Sequence, residues 1–167
     1  NKLKAREEAM AKLRNRLQQA LLGFADNGMT VSIKNGKVYV SLSNQLLFGT
    51  GSTDIDKKGK EALLELSKIL NDQTDINILV EGHTDNQPIR FATKFKDNWD
   101  LSVLRSTEVI RFLTQEGQVD PMRITASGKG EYFPIEKGDT PEIRAMNRRT
   151  EIILSPKLDE LLEIINE

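Results

Sequence analysis

The strongest constraint on the fold is a hairpin pattern near the N-terminus. From Val31 to Leu42, apolar and polar residues alternate on both sides of the dipeptide Asn35-Gly36. This dipeptide supplies the two positive φ angles of a type I′ turn, whose twist matches that of paired strands. The segment therefore predicts two antiparallel strands, each with one face directed to a core.

Further along the chain, short β-branched segments alternate with amphipathic helical segments. The predicted strands are Ile76–Val80, Ile124–Ser127 and Thr150–Leu154. The predicted helices are Asp54–Leu70, Leu101–Leu113 and a closing helix over Lys157–Asn166 that Pro156 opens, with a helical turn before the last strand. The expected helix caps are Ser52, Thr53 or Asp54 for the first and Asn98 or Asp100 for the second. With the hairpin, this order predicts an α+β sandwich, α/β in the broad sense, in which helices cover a mixed sheet.

A separate amphipathic segment precedes the hairpin. Its apolar residues recur at spacings of three, four or seven: Leu3, Met10, Leu13, Leu17, Leu21 and Phe24. This stripe predicts a helix that packs on its own domain or pairs with the same helix of a second copy, while membrane-surface binding is a weaker alternative. We expect a linker or coiled-coil helix over 1–27, the main domain over 28–155 and the closing helix over 156–167. Pairing of the first helix would make a homodimer.

Composition narrows the classes of function. The chain has 167 residues, enough for one domain with an appendage. Its 24 Lys+Arg against 25 Asp+Glu leave no positive surplus for nonspecific nucleic-acid binding. Without cysteine there is no disulfide, thiolate site or cysteine nucleophile. No apolar run reaches the length of a membrane span, and the chain starts at Asn1, so we expect a fragment or processed form whose anchor or export signal lies outside it.

The polar residues after the predicted strand at 76–80 are the main candidates for a site. Gly82-His83-Thr84-Asp85 follows that strand, and mixed sheets often bind ligands at the carboxyl ends of their strands. By itself, Asp85 is more simply a capping or turn residue before Asn86. Likewise, Arg105, one turn into the next helix, would ordinarily face solvent or pair with an acid. The basic segment 144–149 allows three interpretations: a basic stretch entering a strand, a phosphate-binding patch or a second anion site.

Catalysis is not expected. His83 and Asp85 lie two residues apart, so they could share one strand face and meet. However, His83 is the single histidine, and no motif places a nucleophile, a metal set or a second catalytic carboxylate beside it. We therefore expect a hydrogen-bonded structural histidine, no metal site and no enzyme.

Four motifs in one order carry a family resemblance. They are Gly82-His83-Thr84-Asp85, Asn98-x-x-Leu101-Ser102-x-x-Arg105, Gly128-x-Gly130-Glu131-x-x-Pro134 and Arg144-Ala145-x-Asn147-Arg148-Arg149. With them, the chain from about Leu47 to Leu154 resembles the OmpA-like (OmpA/MotB C-terminal) peptidoglycan-binding domain family. The resemblance implies a β/α/β/α/β fold with a mixed sheet, in agreement with the predicted order of elements.

The resemblance also implies a ligand. It would be the peptide stem of the cell wall, held chiefly at its diaminopimelate residue, which carries an ammonium and a carboxylate on one carbon. Asp85 would accept hydrogen bonds from the ammonium, and the planar guanidinium of Arg105 would clamp the carboxylate. Further contacts are implied for residues at matching positions: Thr84, Asn86, Asn98, Leu101 and Arg148. No cofactor is implied.

The implied role is noncatalytic tethering of a membrane-anchored partner to the wall. The domain would lie in the periplasm of a Gram-negative-type envelope, with an outer- or inner-membrane anchor upstream. A dimerising scaffold in a stator-like or other envelope assembly, with weak or conditional wall binding, is the alternative. The connection after Asp85 is similar to that of the MotB branch of the family. The segment 155–161 is similar to the ending of Bacteroidetes-type envelope proteins, and we favour this second resemblance. Ile143 stands where the family commonly has glycine, and Ser106 stands where it commonly has alanine. We expect the change at Ser106 to matter little.

Overall fold

The computed structural model describes residues 1–48, 54–89, 94–157 and 165–166. Their strands form one sheet in the order β1 (Met29–Lys34), β2 (Lys37–Ser43), β5 (Arg149–Pro156), β3 (Ile76–His83) and β4 (Ile124–Gly128). The β3–β4 pair is parallel, and the β1–β2, β2–β5 and β5–β3 pairs are antiparallel. The predicted mixed sheet is therefore confirmed.

Helices cover one face of this sheet. In the described residues they are α1 (Lys2–Ala20), α2 (Asn44–Phe48), α3 (Lys57–Asp72), α4 (Asn98–Gln115) and α5 (Pro141–Asn147), with 3₁₀ turns at Leu22–Asn27 and Pro121–Arg123. Apolar residues of α1, α3 and α4 form one core with the strand residues Val40, Val80 and Ile152, which are fully buried. Since side chains alternate along a strand, the residues next to Val40, Val80 and Ile152 on each strand point to the opposite face of the sheet.

The N-terminal hairpin forms where the turn dipeptide predicted it. Asn35 and Gly36 have φ angles of 50° and 75°, and Lys34 pairs with Lys37 on either side of them. Two positive φ angles in succession are the signature of the type I′ turn. Strands β1 and β2 therefore bring Val31 opposite Val40 on the core side of the sheet.

Helix α1 packs on the sheet of its own domain. Met10, Leu13 and Leu17 are at most 4% exposed and belong to the same core as the strands, whereas Leu3 is 52% exposed. The structure thus shows the first of the two alternatives for the apolar stripe. The helix ends at Ala20, and Phe24 lies in the following 3₁₀ turn, because the chain must reverse before it enters β1. Homodimerisation stays a prediction, and it would have to use α1 residues outside the buried stripe.

The predicted helix caps are wrong where the structure describes them. Asp56, not Asp54, is the N-cap of α3, while positions 52 and 53 lie outside the described residues. Asp97 caps α4, and its carboxylate accepts a hydrogen bond from the backbone N–H of Asp100 at 3.2 Å. Asn98 and Asp100 therefore lie inside the first turn, and the side chain of Asn98 is free to bind another segment.

Strands β3 and β5 extend well beyond their predicted ends. Strand β3 continues three residues past Val80 to His83, so part of the first motif belongs to the sheet. Strand β5 runs to Pro156, which lies opposite Ile76 instead of opening a helix. A proline at a strand end removes no essential ladder hydrogen bond. Most of the predicted closing helix, residues 158–164 and 167, lies outside the described residues.

Candidate functional site

Asp85 lies just beyond the carboxyl end of β3, where the loops after β3 and β4 meet. The backbone N–H of Thr84 donates to the carbonyl of Gly130 at 2.9 Å, and that of Lys129 donates to Gly82 at 2.9 Å. These reciprocal bonds join the two loops because β3 and β4 are parallel and end at the same edge. The edge therefore holds the carboxylate of Asp85 on a backbone fixed from both sides.

The carboxylate of Asp85 has a separate partner for each oxygen. Its Oδ1 accepts from the backbone N–H of Gln87 at 3.0 Å, which makes Asp85 the turn residue that its sequence context suggests. Its Oδ2 accepts from Nη1 of Arg148 at 2.8 Å. The Asp85 side chain is 13% exposed, so this ion pair lies in a partly desolvated place. Turn residue and site residue are thus compatible roles for Asp85.

Arg105 projects from α4 and is almost completely buried. It is 8% exposed, its guanidinium carbon lies 5.6 Å from the centre of the Phe48 ring, and its Nε has no hydrogen-bond partner among the described residues. The pKa of Arg105 is lowered to about 10, chiefly by burial and also by the charge of Arg148, while Asp85 opposes the shift. At neutral pH this guanidinium stays charged, with a donor available for an anion.

Close approach of α4 to the sheet places Arg105. A Cβ on Gly82 would collide with the carbonyl oxygen of Ser102, so only glycine lets the helix lie this near to β3. The hydroxyl of Ser106 lies 3.2 Å and 2.7 Å from the carbonyl oxygens of Ser102 and Ser127. The hydroxyl of Ser106 links α4 to β4, which alanine could not do, and the expectation that this change matters little stays a prediction.

The basic segment 144–149 divides into one site arginine and two structural ones. Arg148 reaches Asp85, whereas Arg144 Nη1 contacts Asp139 Oδ1 at 3.0 Å and Arg149 Nε contacts Glu151 at 2.9 Å. The pairing of Arg144 and Arg149 with acids leaves little positive charge for a phosphate-binding patch. Arg148 is held just after α5, and its carbonyl accepts from the backbone N–H of Asn44 at 3.0 Å.

A family assignment follows from the sequence that builds this edge. The OmpA family model matches residues 47–148, which include Asp85, Arg105 and Arg148. The chain belongs to the OmpA family. As an OmpA-family domain it is not an enzyme.

Solved structures and a curated protein are similar to this chain in fold or in sequence. A putative MotB like protein from Desulfovibrio vulgaris has a TM-score of 0.83 at 26% identity, over 92% of this chain and 98% of that one. The cell wall anchor of the T6SS from Pseudomonas aeruginosa has a TM-score of 0.75 at 29% identity, over 86% of this chain and 99% of that one. Motility protein B of Bacillus subtilis is 33% identical over 118 residues, 71% of this chain and 45% of that protein. The chain spans about half the length of the first curated relatives it matches.

The remaining OmpA-family motif residues surround Asp85 to different degrees. Thr84 is buried, and its hydroxyl donates to the Asp85 carbonyl at 2.8 Å. Asn98 is 6% exposed, and its amide donates to the same carbonyl at 3.3 Å. Asn86 is exposed, and its Oδ1 accepts from the Gln87 side chain, while Leu101 is half-buried on α4 between Asn98 and Arg105. Thr84 and Asn98 thus orient the Asp85 backbone.

His83 faces away from Asp85. Its Nε2 lies 2.8 Å from Glu81 Oε1 and 4.0 Å from Glu151 Oε2, and the hydrogen bond from His83 is the main cause of a lowered pKa of Glu81. The ligand atoms of these three side chains lie within 4.8 Å of one another, a spacing that could hold a metal ion. Arg149 already pairs with Glu151, and His83 with Glu81, so these contacts already balance much of the negative charge.

One side of the candidate site was not predicted from the sequence. A cleft of about 1040 Å³ opens beside Arg105 and Arg148, and its far wall comes from the turn after α1, from α2 and from the start of α3. The residues of that wall include Asp26, Asn27, Asn44, Asp56 and Lys58. Their sequence carries no motif, because they are brought to the site by the packing of separate elements.

No helix among the described residues has the length and apolar character needed to span a membrane.

Proposed function

We propose that this OmpA-family domain binds peptidoglycan by holding the diaminopimelate residue of a stem peptide, without catalysis. It would thereby tether a membrane-anchored envelope protein to the cell wall in the periplasm. The observation that carries the proposal is the buried guanidinium of Arg105, whose Nε has no partner among the described residues and which interacts with the charge of Asp85. A buried, unsatisfied, charged donor is costly unless a ligand completes it.

The chemistry of diaminopimelate matches the two charges. Its terminal carbon carries an ammonium and a carboxylate, and few groups in a cell wall present both signs so close together. The guanidinium of Arg105 offers two parallel N–H groups to a carboxylate, and Asp85 offers a carboxylate to the ammonium. Within the described residues, each carboxylate oxygen of Asp85 accepts one hydrogen bond, which leaves each a further lone pair for a ligand.

The comparisons support wall attachment at a coarser level. One structural neighbour is described as a cell wall anchor, and motility protein B shares the motif-bearing region. The alternative of a dimerising scaffold has less support, since the apolar stripe of α1 is buried in its own domain. The upstream anchor, the choice between outer and inner membrane, and the closer similarity to Bacteroidetes-type envelope proteins stay proposals.

A titration of the 167-residue chain with soluble stem peptides tests this function. We expect a diaminopimelate-containing peptide to bind and a lysine-containing peptide, which lacks the terminal carboxylate, to bind much more weakly. Asp85→Ala and Arg105→Ala should each lower the affinity by about thirtyfold to several thousandfold, as removal of one partner of a buried charge pair does.

Arg144→Ala serves as the matched control, because Arg144 lies in the same basic segment and pairs with Asp139 instead of Asp85. It should leave the affinity unchanged. A folded wild-type chain that binds neither peptide would refute the proposed function, and binding that survives both site substitutions would refute the assignment of the residues.

A further inference from the structure

Exposed aromatic rings are concentrated next to the proposed peptide site. Among the described residues, the aromatic side chains with large exposure are Trp99, Tyr132 and Phe133, at 46%, 59% and 56%. The rings of Trp99 and Tyr132 stack, with centroids 5.0 Å apart and planes inclined by 29°. Nζ of Lys129 lies 4.4 Å from the centre of the Phe133 ring. We call Trp99, Tyr132 and Phe133 the aromatic platform.

The platform adjoins Asp85 through two short connections. Gly130 lies against Trp99, since a Cβ there would meet Trp99 Cδ2 at 3.5 Å, and the Gly130 carbonyl accepts from the backbone N–H of Thr84. On the other side, Trp99 directly follows Asn98, whose amide donates to the Asp85 carbonyl at 3.3 Å. Trp99 is therefore adjacent in sequence to Asn98, which is one of the two side chains that orient the Asp85 backbone.

Gly130 fixes the platform by its backbone conformation. Its φ of +58° lies in the left-handed region that favours glycine, and a Cβ there would be in ordinary van der Waals contact with the rings of Tyr132 and Trp99. A stacked, pre-positioned pair of rings loses little conformational entropy when a ligand covers it. A rigid apolar surface that stays open to solvent beside a binding site points to a ligand part that the site itself does not hold.

We propose that the aromatic platform binds a sugar ring of the glycan strand to which the stem peptide is attached. This inference rests on the proposed function. Sugar rings present a face of C–H groups that packs on flat aromatic rings, while their hydroxyls stay in water at the rim. Diaminopimelate is the third residue of its stem, so roughly 10 Å of extended chain separates it from the sugar. That reach is enough for a peptide held at Asp85 to bring its sugar onto Trp99.

A protein partner fits this surface less well. A stable protein interface buries about 800 Å² on each partner, and the core of such a patch is depleted of charge. Here Tyr132 and Phe133 share one short loop with Lys129 and Glu131, and Trp99 lies beside them at the start of α4. A narrow aromatic strip with charged neighbours suits a flat, hydrated ring better than an apolar protein face.

Calorimetric titration of the full chain with three ligands tests the platform. The ligands are the free stem peptide, the disaccharide of N-acetylglucosamine and N-acetylmuramic acid, and the muropeptide that joins them. We expect the muropeptide to bind roughly three- to tenfold more tightly than the free peptide. Trp99→Ala and Tyr132→Ala should each remove most of that gain while the affinity for the free peptide stays the same.

Met122→Ala is the matched control, because Met122 is an apolar side chain that is 93% exposed in another loop. It should keep the gain. A wild-type chain that binds muropeptide and free peptide equally would overturn the inference, as would a Trp99→Ala variant that loses affinity for both ligands by the same factor.

The fluorescence of Trp99, the single tryptophan, separates failure of the platform from failure of the peptide site. If the free peptide does not bind, the proposed function fails, and titration with the disaccharide then tests the platform alone. A change in emission on adding the disaccharide, reduced by Tyr132→Ala, would support the platform. No change in emission would overturn it.

Discussion

Arg148 and Asp85, 63 residues apart in the chain, form an ion pair with 2.8 Å between Nη1 and Oδ2. In the free protein, Arg148 therefore occupies one oxygen of the carboxylate that we propose for the ligand ammonium. Arg105 stands beside this pair and contributes its own buried charge. Two guanidinium groups therefore lie next to one carboxylate, an arrangement that favours a ligand that brings a carboxylate as well as an ammonium.

Replacement of Arg105 by lysine tests whether the shape of the guanidinium matters as well as its charge. Arg105→Lys keeps a cation but loses the two parallel N–H groups, so we expect at least a tenfold lower affinity for the diaminopimelate peptide. The measurement is calorimetric titration. Arg144→Lys is the control and should bind as the wild type does. Equal affinities of Arg105→Lys and wild type would show that Arg105 acts only as a point charge.

Gly82→Ala tests whether α4 must lie close to β3. The added Cβ would collide with the backbone carbonyl of Ser102, and we expect a loss of about 1–3 kcal/mol in the free energy of unfolding, with weaker peptide binding because Arg105 moves with the helix. Urea unfolding gives the first quantity and titration the second. Gly23→Ala, where a Cβ would meet no atom within 4 Å, should leave both unchanged. A Gly82→Ala chain as stable as wild type would contradict this account of the packing.

Leu17→Ala tests whether α1 is part of the domain. Leu17 is fully buried, and its truncation should cost about 2–5 kcal/mol in a single cooperative urea transition. Leu3→Ala, at a position that is 52% exposed, should change stability by less than about 0.5 kcal/mol. If Leu17→Ala unfolded α1 alone and left the main transition in place, the division of the chain near residue 27 would be favoured instead.

Acid titration tests the contact between Glu81 and His83. The hydrogen bond from His83 lowers the pKa of Glu81 below its ordinary value of 4.5. A lowered carboxyl pKa contributes stability that is fully present above pH 4.5 and is lost as the pH falls through the folded-state pKa. The difference in unfolding free energy between wild type and Glu81→Gln should therefore shrink between pH 5 and 3. Glu65→Gln, which breaks an exposed pair with Lys68, is the control, and its difference in unfolding free energy from wild type should change little with pH. An equally small pH dependence for Glu81→Gln would contradict the contact between Glu81 and His83.

Local chemistry was enough to predict most of the elements. The Asn35-Gly36 turn sets its own backbone angles within two residues, and helical periodicity repeats within each turn, so both are readable without knowledge of the rest of the chain. The strand before Asp85 was also predicted, but its end was placed at Val80 instead of His83. The helix caps were less readable, because Asp97, Asn98 and Asp100 are all chemically able to cap α4, and the choice depends on what else Asn98 can bind.

The sequence by itself determined the hairpin, the order of strands and helices, and the family to which the motifs belong. Only the tertiary structure decided that the stripe of α1 is buried in its own core, that Arg148 and not His83 is the partner of Asp85, and that Arg105 is buried without a partner for Nε among the described residues. The physical reason is distance along the chain. Turn angles and helix periods depend on neighbours a few residues away, whereas an ion pair spanning 63 residues exists only once the sheet register has brought its two ends together.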